Sequence, residues 1–288
     1  MAATRIYHRG QRRLRSIARA LVVYTGLGIL GLITAMPFVW MAVSSLKEPG
    51  TLLIYPPEWI PNPVRWQNYV ELVQEMPFAR YFANSTKIAV LTTVGSLWAC
   101  SLAAYAFARF EFPGKNLVFA LTLSCLMVPS QVVLIPQFVL YNKLGLMDQH
   151  IVLWGPAWTG GAFGIFLLRQ FFMSLPSELE DAAVIDGATR FGIYWRIFIP
   201  LSKPALTTLA IFTFMGSWND LLGPVLYLST RSKMTLTIGL AMLSHAFGAT
   251  PWHLIMAGAV VSVLPILLVY IVGQKYFVQG IVMTGLKL

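Results

Sequence analysis

The most polar stretch of this apolar chain lies between Glu180 and Pro200, and its residue types favour contact with another protein. The chain is 57% hydrophobic, whereas this stretch reads EDAAVIDGATRFGIYWRIFIP. The residues that stand out are the acids Glu180, Asp181 and Asp186 and the small residues Ala182, Ala183, Gly187 and Ala188. Carboxylates make ionic contacts with basic groups, and small side chains let a partner approach a helix backbone closely. The pattern therefore predicts a helix that enters a cleft on a partner protein.

Other residue types that could carry chemistry are dispersed along the chain. The four histidines include no pair at the i, i+4 spacing of a helical metal site. Cys100 and Cys125 both fall inside apolar runs, which favours packing over redox or metal roles. No G-x-x-x-x-G-K-[ST] phosphate loop occurs, and the nearest piece, PGKN at residues 113–116, lacks the first glycine and the hydroxyl. We therefore expect this chain to bind no metal and no cofactor and to hydrolyse no ATP.

The composition indicates a membrane protein. The mean hydropathy is +0.68 and only 11% of residues are charged, against roughly 25% in soluble domains. A transmembrane helix needs about 20 mostly apolar residues. Six runs qualify: 20–46, 81–107, 117–140, 151–173, 204–228 and 255–277. The sequence therefore predicts an all-α integral membrane protein with one six-span domain over residues 20–277, preceded by a basic segment, 1–19, and followed by a short tail, 278–288.

The net charge of +10 follows membrane topology, so we expect no nucleic-acid partner. Most of the 21 Lys and Arg residues fall in segments that share a side with the N-terminus, and the positive-inside rule then places both termini in the cytoplasm. The arginine-rich start could also bind anionic membrane lipid. The first apolar run is too long for the apolar region of a secretory signal, so we expect it to remain as a span.

A proline-rich outer segment separates the first two runs. Asn62 can cap a helix there with Pro63 at the first helical position. One helical stripe would then carry Trp66, Tyr69, Val70, Val73 and Met76. This pattern predicts a short helix on the outer membrane surface. It fits equally an aromatic anchor at the lipid headgroups and a docking surface for an external partner.

The third run contains residues that interrupt a helix, and the fourth contains small residues that let helices pack closely. The third holds Pro129, Gln131, Pro136 and Gln137, and the fourth holds Gly160, Gly161 and Gly164. Broken helices at membrane depth are tolerated where they line a cavity, so we expect Gln131 and Gln137 to face a pathway. Small residues allow close helix approach, which predicts tight packing of the fourth span.

Asp220 lies within the fifth run, where an ionisable group is costly and by default functional. Trp218, Asn219 and Asp220 together could line a path for a solute. A structural role is an equal alternative, because Asn219 and Asp220 could cap a helix break before the Gly223-Pro224 pair.

Local signals divide the loop at residues 174–203 into two short helices. Ser177 and Glu180 form an S-x-x-E capping box, and Gly187 is a natural left-handed stop. A second helix is predicted from about Thr189. Its aromatic face would comprise Phe191, Tyr194, Trp195 and Phe198 and would lie against the membrane interface.

This loop resembles the E-A-A-x-x-x-G loop of ATP-binding cassette importer permeases, in the extended form E-A-A-x-x-D-G-A followed by I-x-L-P. The matching positions are Asp181-Ala182-Ala183-Val184-Ile185-Asp186-Gly187-Ala188 and Ile197-Phe198-Ile199-Pro200. Asp181 replaces the usual glutamate, which shortens the reach of its ionic contact, and Ile199 replaces leucine. The pieces AYAFARFEFPGK, MVPSQVVLIPQF and SWNDLLGP extend the resemblance to the carbohydrate-uptake group, specifically to the smaller permease of maltose importers.

The resemblance implies a multi-pass permease of the cytoplasmic membrane that translocates a sugar or oligosaccharide. It implies a heterodimer with a second permease, two cytoplasmic ATPase subunits that hold ATP and Mg, and an extracytoplasmic solute-binding protein. Each ATPase would grip one loop, here Glu180 to Ala188 with Pro200 beyond it. Trp218 would then stack on a pyranose face, with Asn219 and Asp220 bonding hydroxyls. Glycerol-phosphate or another polar solute is an alternative substrate.

Three other interpretations remain on the residues alone. The loop could be an amphipathic surface connection without a partner. Asp220 could be the proton or sodium site of an ion-coupled secondary carrier, which would need no ATPase. A membrane scaffold would carry no solute at all. Neither the carrier nor the scaffold accounts for the composition of the loop.

Overall fold

The computed structural model describes the backbone of residues 2–244 and 250–285, with side chains over 19–52, 54–244 and 250–275. The side chains of the basic segment 1–19, apart from Arg19, lie outside these ranges, as do those of the tail 278–288. All secondary structure in the described ranges is helical, which confirms the all-α prediction. The last helix runs to Gly285, beyond the predicted start of the tail at residue 278.

Fourteen α-helices occur in the described ranges. They are α1 (Ala2–Ser44), α2 (Gln67–Glu75), α3 (Phe78–Arg109), α4 (Lys115–Ser124), α5 (Ser130–Lys143), α6 (Ile151–Trp154), α7 (Ala162–Met173), α8 (Glu178–Ile185), α9 (Arg190–Ile193), α10 (Ile199–Leu201), α11 (Lys203–Trp218), α12 (Leu222–Tyr227), α13 (Leu236–Leu243) and α14 (Trp252–Gly285). Short 3-10 turns lie at Thr51–Leu53, Cys125–Met127, Gly155–Thr159 and Arg231–Lys233, and a π-helical turn at Tyr194–Phe198.

The described residues provide four to six membrane-spanning elements. Four are long and apolar enough by themselves: Arg19–Ser44, Phe78–Arg109, Ile151–Met173 and Trp252–Lys275. Two bent pairs raise the number to six if each counts as one span: Lys115–Met127 with Ser130–Lys143, and Arg190–Leu201 with Lys203–Trp218. Five of these elements match the predicted runs 20–46, 81–107, 117–140, 151–173 and 255–277. The remaining bent pair covers 190–218 and so overlaps only the first part of the predicted run 204–228.

Proline breaks the third predicted span. Its two halves meet at an angle of 99°, on either side of Val128 and Pro129. Val128 is extended, with φ −84° and ψ 116°, because a residue before proline is driven out of the helical region. The predicted interruption is therefore confirmed at Pro129 but not at Pro136, which lies inside the continuous helix α5. The fifth predicted span is also discontinuous, since α11 ends at Trp218 and α12 begins at Leu222.

The chain forms two compact units, of which the first comprises the described residues of 2–72 and 250–261. Asn68 is fully buried there and donates to the backbone oxygens of Ser45 and Lys47, both at 2.8 Å. The Arg65 backbone N–H donates to Leu46 O at 2.9 Å, which ties the residues after Pro63 to another segment. The helix consequently begins at Gln67, and the predicted start at Asn62 is wrong.

The second unit comprises the described residues of 73–244 and 262–285, and its core lies where α3 packs against α7 and α11. Core residues include Cys100, Leu168, Phe172 and Leu209. Gly164 makes this approach possible, since a Cβ there would lie 2.7 Å from Cys100 Sγ and 3.1 Å from Leu209. The predicted tight packing of the fourth span is therefore confirmed at Gly164, whereas a Cβ at Gly161 would meet nothing within 4 Å.

Asp148 joins two loops of the second unit. Its Oδ1 accepts from the backbone N–H groups of Ser229 and Thr230, each at 2.9 Å. Its Oδ2 accepts from the Thr230 hydroxyl at 2.6 Å and from Lys233 Nζ at 3.0 Å. The hydroxyl and N–H of Thr230, together with Ser229 and Lys233, lower the pKa of the Asp148 carboxyl well below its usual range. The loop before α6 is thus fixed to the segment after α12.

Replacing Asp148 by asparagine should lower the thermal stability of the purified protein. Asn tolerates the left-handed backbone at this position, φ 59°, but lacks the charge that Lys233 and the N–H groups stabilise. Hydrogen bonds to charged groups contribute about 1.5 to 3 kcal/mol, so we expect a loss of about 2 kcal/mol. Thermal unfolding in detergent measures it, with the exposed Glu75→Gln as control.

The same variant has a defined pH dependence. Because the folded pKa lies below the ordinary value of 3.8, the contribution of Asp148 is present above that value and is lost as the pH falls through the folded pKa. The difference in melting temperature between wild type and Asp148→Asn should stay constant from about pH 8 to about pH 5 and shrink below about pH 4. A difference that already disappears at neutral pH would contradict the assignment.

Candidate functional site

The helix α8 has the boundaries that its sequence predicts, but only one of the two predicted caps. At its end, Ala188 N donates to Ala183 O at 2.9 Å and Gly187 N to Val184 O at 3.0 Å. Gly187 has φ 78°, so this is a Schellman motif with glycine at its left-handed position. At its start, the Ser177 hydroxyl makes no capping bond to any described residue. The predicted capping box is therefore wrong, because Glu180 is engaged elsewhere.

The two faces of α8 differ sharply. Glu180 and Ala183 are buried, with 7% and 9% exposure. The exposed face carries Asp181, Ala182, Val184, Ile185, Asp186, Gly187 and Ala188, with Ile185 exposed at 85%. Among the described residues, Asp181 and Asp186 form no ion pair. Two of the three predicted acids therefore lie on a free surface, and the third belongs to the interior.

Glu180 is the buried centre of an ionic network in which Arg109 is nearly buried and Arg190 is exposed. One carboxylate oxygen accepts a short hydrogen bond from Arg190, and the other lies 3.8 Å from Arg109 Nε. Arg109 Nη2 also donates to the backbone oxygens of Phe172 and Leu175, at 2.9 and 2.6 Å. Phe172 lies in the last turn of α7 and Leu175 just beyond its end, where carbonyls have few helical partners. Glu180 therefore connects α8 to the ends of α3 and α7.

Sequence reasoning missed both arginines. Arg109 lies in the piece AYAFARFEFPGK, which carried the family resemblance without a role for any single residue. It is 71 positions before Glu180 in the chain, and no local periodicity relates residues at that distance. Arg190 lies nearer, but only the left-handed turn at Gly187 reverses the chain and brings its side chain back to Glu180.

The second short helix begins as predicted, with Thr189 Oγ1 accepting from Gly192 N at 3.1 Å. Its aromatic residues do not share one face. Phe191 and Trp195 are exposed, whereas Tyr194 and Phe198 are each 1% exposed and lie in the core. Tyr194 OH bonds Ser101 Oγ of α3 at 2.8 Å. The predicted aromatic face is therefore wrong, because the π-helical turn at Tyr194–Phe198 changes the angular spacing of the side chains.

The α8 surface, meaning Asp181, Ala182, Val184, Ile185, Asp186, Gly187 and Ala188, is suited to rigid docking. It presents an apolar centre beside two carboxylates, as do interfaces with an apolar core and a polar rim. The buried network beneath it fixes its orientation relative to α3. Pro200, also predicted for this site, lies exposed in α10 and is separated from α8 by α9 and the π-helical turn.

A cavity of about 290 Å³ forms a second candidate site in the same unit. It is lined by Ser85, Ile88, Thr92, Leu153, Gly216, Ser217, Asp220, Pro224 and Thr235. Asp220 Oδ1 accepts from Gly223 N at 3.1 Å, and its backbone oxygen accepts from Thr237 Oγ1 at 2.8 Å. The structural role of Asp220 is therefore confirmed, since it caps the start of α12, and its place on the wall of this cavity leaves a role in a solute path as a prediction.

The other predicted path residues do not line this cavity. Trp218 is 3% exposed, stacks on Phe214 at 5.7 Å between centroids, and donates its indole N–H to Ser262 O at 3.1 Å. Its ring is therefore unavailable to a sugar in this conformation. Asn219 is exposed and donates to Met215 O, and Gln131 is exposed as well. Gln137 accepts from Tyr227 OH at 3.4 Å.

The cavity hydroxyls carried no sequence signal. Serine and threonine are common in apolar spans, where they bond the preceding turn of their own helix, as Thr92 does to Ile88 O at 2.8 Å. Within the described side chains, no group of three or more His, Cys, Asp and Glu could hold a metal ion.

Comparisons with known proteins agree on one family. The family model for the "binding-protein-dependent transport system inner membrane component" matches residues 92–283. A trehalose/maltose transport system permease protein, MalG, of Thermococcus litoralis is 32% identical over 275 residues, which cover 94% of this chain and 98% of the relative. An sn-glycerol-3-phosphate transport system permease protein, UgpE, of Yersinia pestis is 34% identical over 258 residues, covering 87% and 92%.

A solved structure has the same fold. It is a bacterial ABC transporter involved in the import of the acidic polysaccharide alginate, with a TM-score of 0.76 and 25% identity over 92% of this chain and 97% of that one. Over the 92% of this chain that the comparison covers, the fold is therefore that of a solved ABC transporter subunit.

Replacing Glu180 by alanine should destabilise the protein, because it leaves Arg109 charged, nearly buried and without its acid. Removing one partner of a buried ion pair costs about 3 to 5 kcal/mol, and we expect about 3 kcal/mol here. Glu180→Gln retains an acceptor for Arg190 and should lose less. The control is Glu178→Ala, at an exposed acid of the same helix. Equal melting temperatures for the Glu180 and Glu178 variants would contradict the network.

Proposed function

Because the chain belongs to the family of binding-protein-dependent transport system inner membrane components, we propose that it carries a sugar or oligosaccharide and is driven through its α8 surface by a separate ATPase. The chain is the permease subunit of an ABC importer, a multi-pass protein of the cell membrane and not an enzyme. Permeases of this family have no cofactor of their own and work with a solute-binding protein. Family membership leaves the ion-coupled carrier without support.

The proposed substrate class rests on the relatives. The names of the relatives include trehalose, maltose and sn-glycerol-3-phosphate, and the similar structure imports alginate. Three of these four are carbohydrates, so a sugar or oligosaccharide is the proposed substrate. Glycerol-phosphate or another polar solute is the alternative that UgpE supports.

The observation that carries the coupling proposal is the contrast between the two faces of α8. Its exposed face carries acidic and apolar side chains, while Glu180 on its buried face forms ion pairs with two arginines. A helix whose exposed face can bind a partner and whose buried face is held by ion pairs can transmit a movement of that partner to the helices it packs against. Two ATPase subunits, holding ATP and Mg, would each engage one such helix in a heterodimer of this chain and a second permease.

In this mechanism, closure of the ATPase dimer displaces α8, and α3 and α7 follow because Arg109 binds Glu180 and the end of α7. Access then switches from inward to outward. If a loaded solute-binding protein on the far side favours the outward state, ATPase closure must be favoured by the same free energy. The excess of Lys and Arg in the segments that share a side with the N-terminus supports the cytoplasmic placement of α8.

Introducing arginine at Ala182 tests the coupling. The side chain is exposed on the α8 surface, so Ala182→Arg should fold normally but add bulk and positive charge where a partner approaches. We expect at least a tenfold loss of ATP-driven uptake, equivalent to about 1.4 kcal/mol of interaction. The measurement uses the assembled transporter in proteoliposomes.

Ala79→Arg, at an exposed position in the first turn of α3, is the matched control and should retain uptake. Co-purification of the ATPase with the permease is a second measurement. The Ala182→Arg variant should lose the ATPase during purification, whereas the control variant should keep it. If Ala182→Arg shows normal uptake and keeps the ATPase, the α8 surface is not the site that the ATPase binds.

A further inference from the structure

The cavity around Asp220 has the size of a small-ligand site. Its volume of about 290 Å³ lies at the lower end of the roughly 300 to 1,000 Å³ typical of ligand pockets, so it admits one small ring rather than an oligosaccharide. Four of its lining residues carry hydroxyls and one carries a carboxylate. None of the nine lining residues is a lysine, an arginine or a histidine.

The direction of the hydrogen bonds determines what Ser217 offers a ligand. Ser217 Oγ donates to Thr92 Oγ1 at 3.3 Å, and Thr92 Oγ1 donates to Ile88 O at 2.8 Å. Each hydroxyl has one proton, so both protons are used within the protein. Ser217 therefore retains lone pairs that can only accept.

The protons of the hydroxyls near α13 can be assigned to hydrogen bonds in the same way. Thr237 Oγ1 donates to Asp220 O at 2.8 Å, so in its 3.0 Å bond with Thr235 Oγ1 the proton must come from Thr235. Thr235 therefore also retains only accepting capacity. Ser85 is the opposite case, because its oxygen accepts from Leu236 N at 2.9 Å and its proton goes to no described atom.

Asp220 adds a third acceptor. Its Oδ1 is used by Gly223 N, while Oδ2 accepts from no described group. The cavity thus offers three acceptors, on Ser217, Thr235 and Asp220, and one donor, on Ser85. A ligand that satisfies this set must bring several donors and one acceptor.

We propose that this cavity is a subsite for a single neutral, polyhydroxylated ring, formed by this permease itself and selective against anions. A sugar hydroxyl both donates and accepts, so neighbouring hydroxyls can satisfy all four groups. A phosphate or carboxylate brings only acceptors, would find one donor, and is repelled by Asp220 without a compensating cation. The inference rests on the proposed function and narrows its substrate class from polar solutes to neutral sugars and polyols.

A thiol placed inside the cavity gives a direct test in the assembled transporter. Gly216 lines the cavity, and a Cβ there would meet nothing within 4 Å, so Gly216→Cys keeps all four polar groups in place. The background carries Cys125→Ser, and Cys100 is buried. The probes are glucose and glucose 6-phosphate, which share a ring and differ in charge. The rate of labelling by a small thiol reagent is measured with each.

Glucose should slow labelling of Gly216→Cys at least about threefold, as expected for a mostly occupied site, and glucose 6-phosphate should leave the rate unchanged. Labelling of the exposed native Cys125 in the wild type is the control and should respond to neither sugar. Adding Asp220→Asn should weaken glucose protection and bring the two sugars within about twofold of each other, because the repelling charge is gone. Glu48→Gln, at an exposed acid that is not among the lining residues, should change nothing.

Three outcomes would overturn the subsite. Both sugars could protect the Gly216→Cys thiol from labelling equally, neither could protect it, or the preference for glucose over glucose 6-phosphate could be unchanged in Asp220→Asn. The melting temperature of the complex without Gly216→Cys can be measured without any thiol reagent. Glucose should raise this temperature more than glucose 6-phosphate does. Neither assay needs ATP. Loss of ATP-driven uptake with normal protection would therefore count against the proposed coupling, and normal uptake without protection would count against the subsite alone.

Discussion

The ion pair between Glu180 and Arg109 is the charged contact that holds α8 against the end of α3 and, through Arg109, against the end of α7. Both side chains are nearly buried, at 9% and 12% exposure, so each needs the other to remain charged away from water. Arg109 gains two further acceptors at the end of α7, and Glu180 gains Arg190. An acid in this position does not serve docking directly. It holds α8 in place, while Asp181 and Asp186 remain on the exposed surface.

Local sequence signals predicted most of the helices and their ends. Gly187 has the left-handed conformation that its position demands, and Pro129 breaks the third span as its restriction of the preceding residue requires. Long-range contacts could not be predicted in this way. Nothing near Glu180 shows that its partner is Arg109, and the choice between a capping acid and a buried ion pair depends on a contact across 71 residues.

The errors in the predicted helices arose because regular geometry was assumed where the chain departs from it. The outer helix was expected at Asn62, but the Arg65 backbone is bonded to Leu46 and the helix starts at Gln67. The aromatic stripe was expected on one face, but the π-helical turn places Tyr194 in the core. The sugar contact suggested for Trp218 stays a prediction, since in this structure its ring stacks on Phe214 and its indole N–H donates to Ser262 O.

The helix α3 can link the α8 surface to the cavity. It runs uninterrupted from Phe78 to Arg109 and has no internal proline, unlike the third span. Arg109 at its end binds Glu180, while Ser85, Ile88 and Thr92 line the cavity. At 1.5 Å per residue, about 25 Å of rigid helix separates Arg109 from Thr92. A displacement of α8 would therefore reach the cavity as a movement of one wall, opposite Ser217 and Asp220. The four groups that fit a neutral ring would then separate or close together with each ATPase cycle.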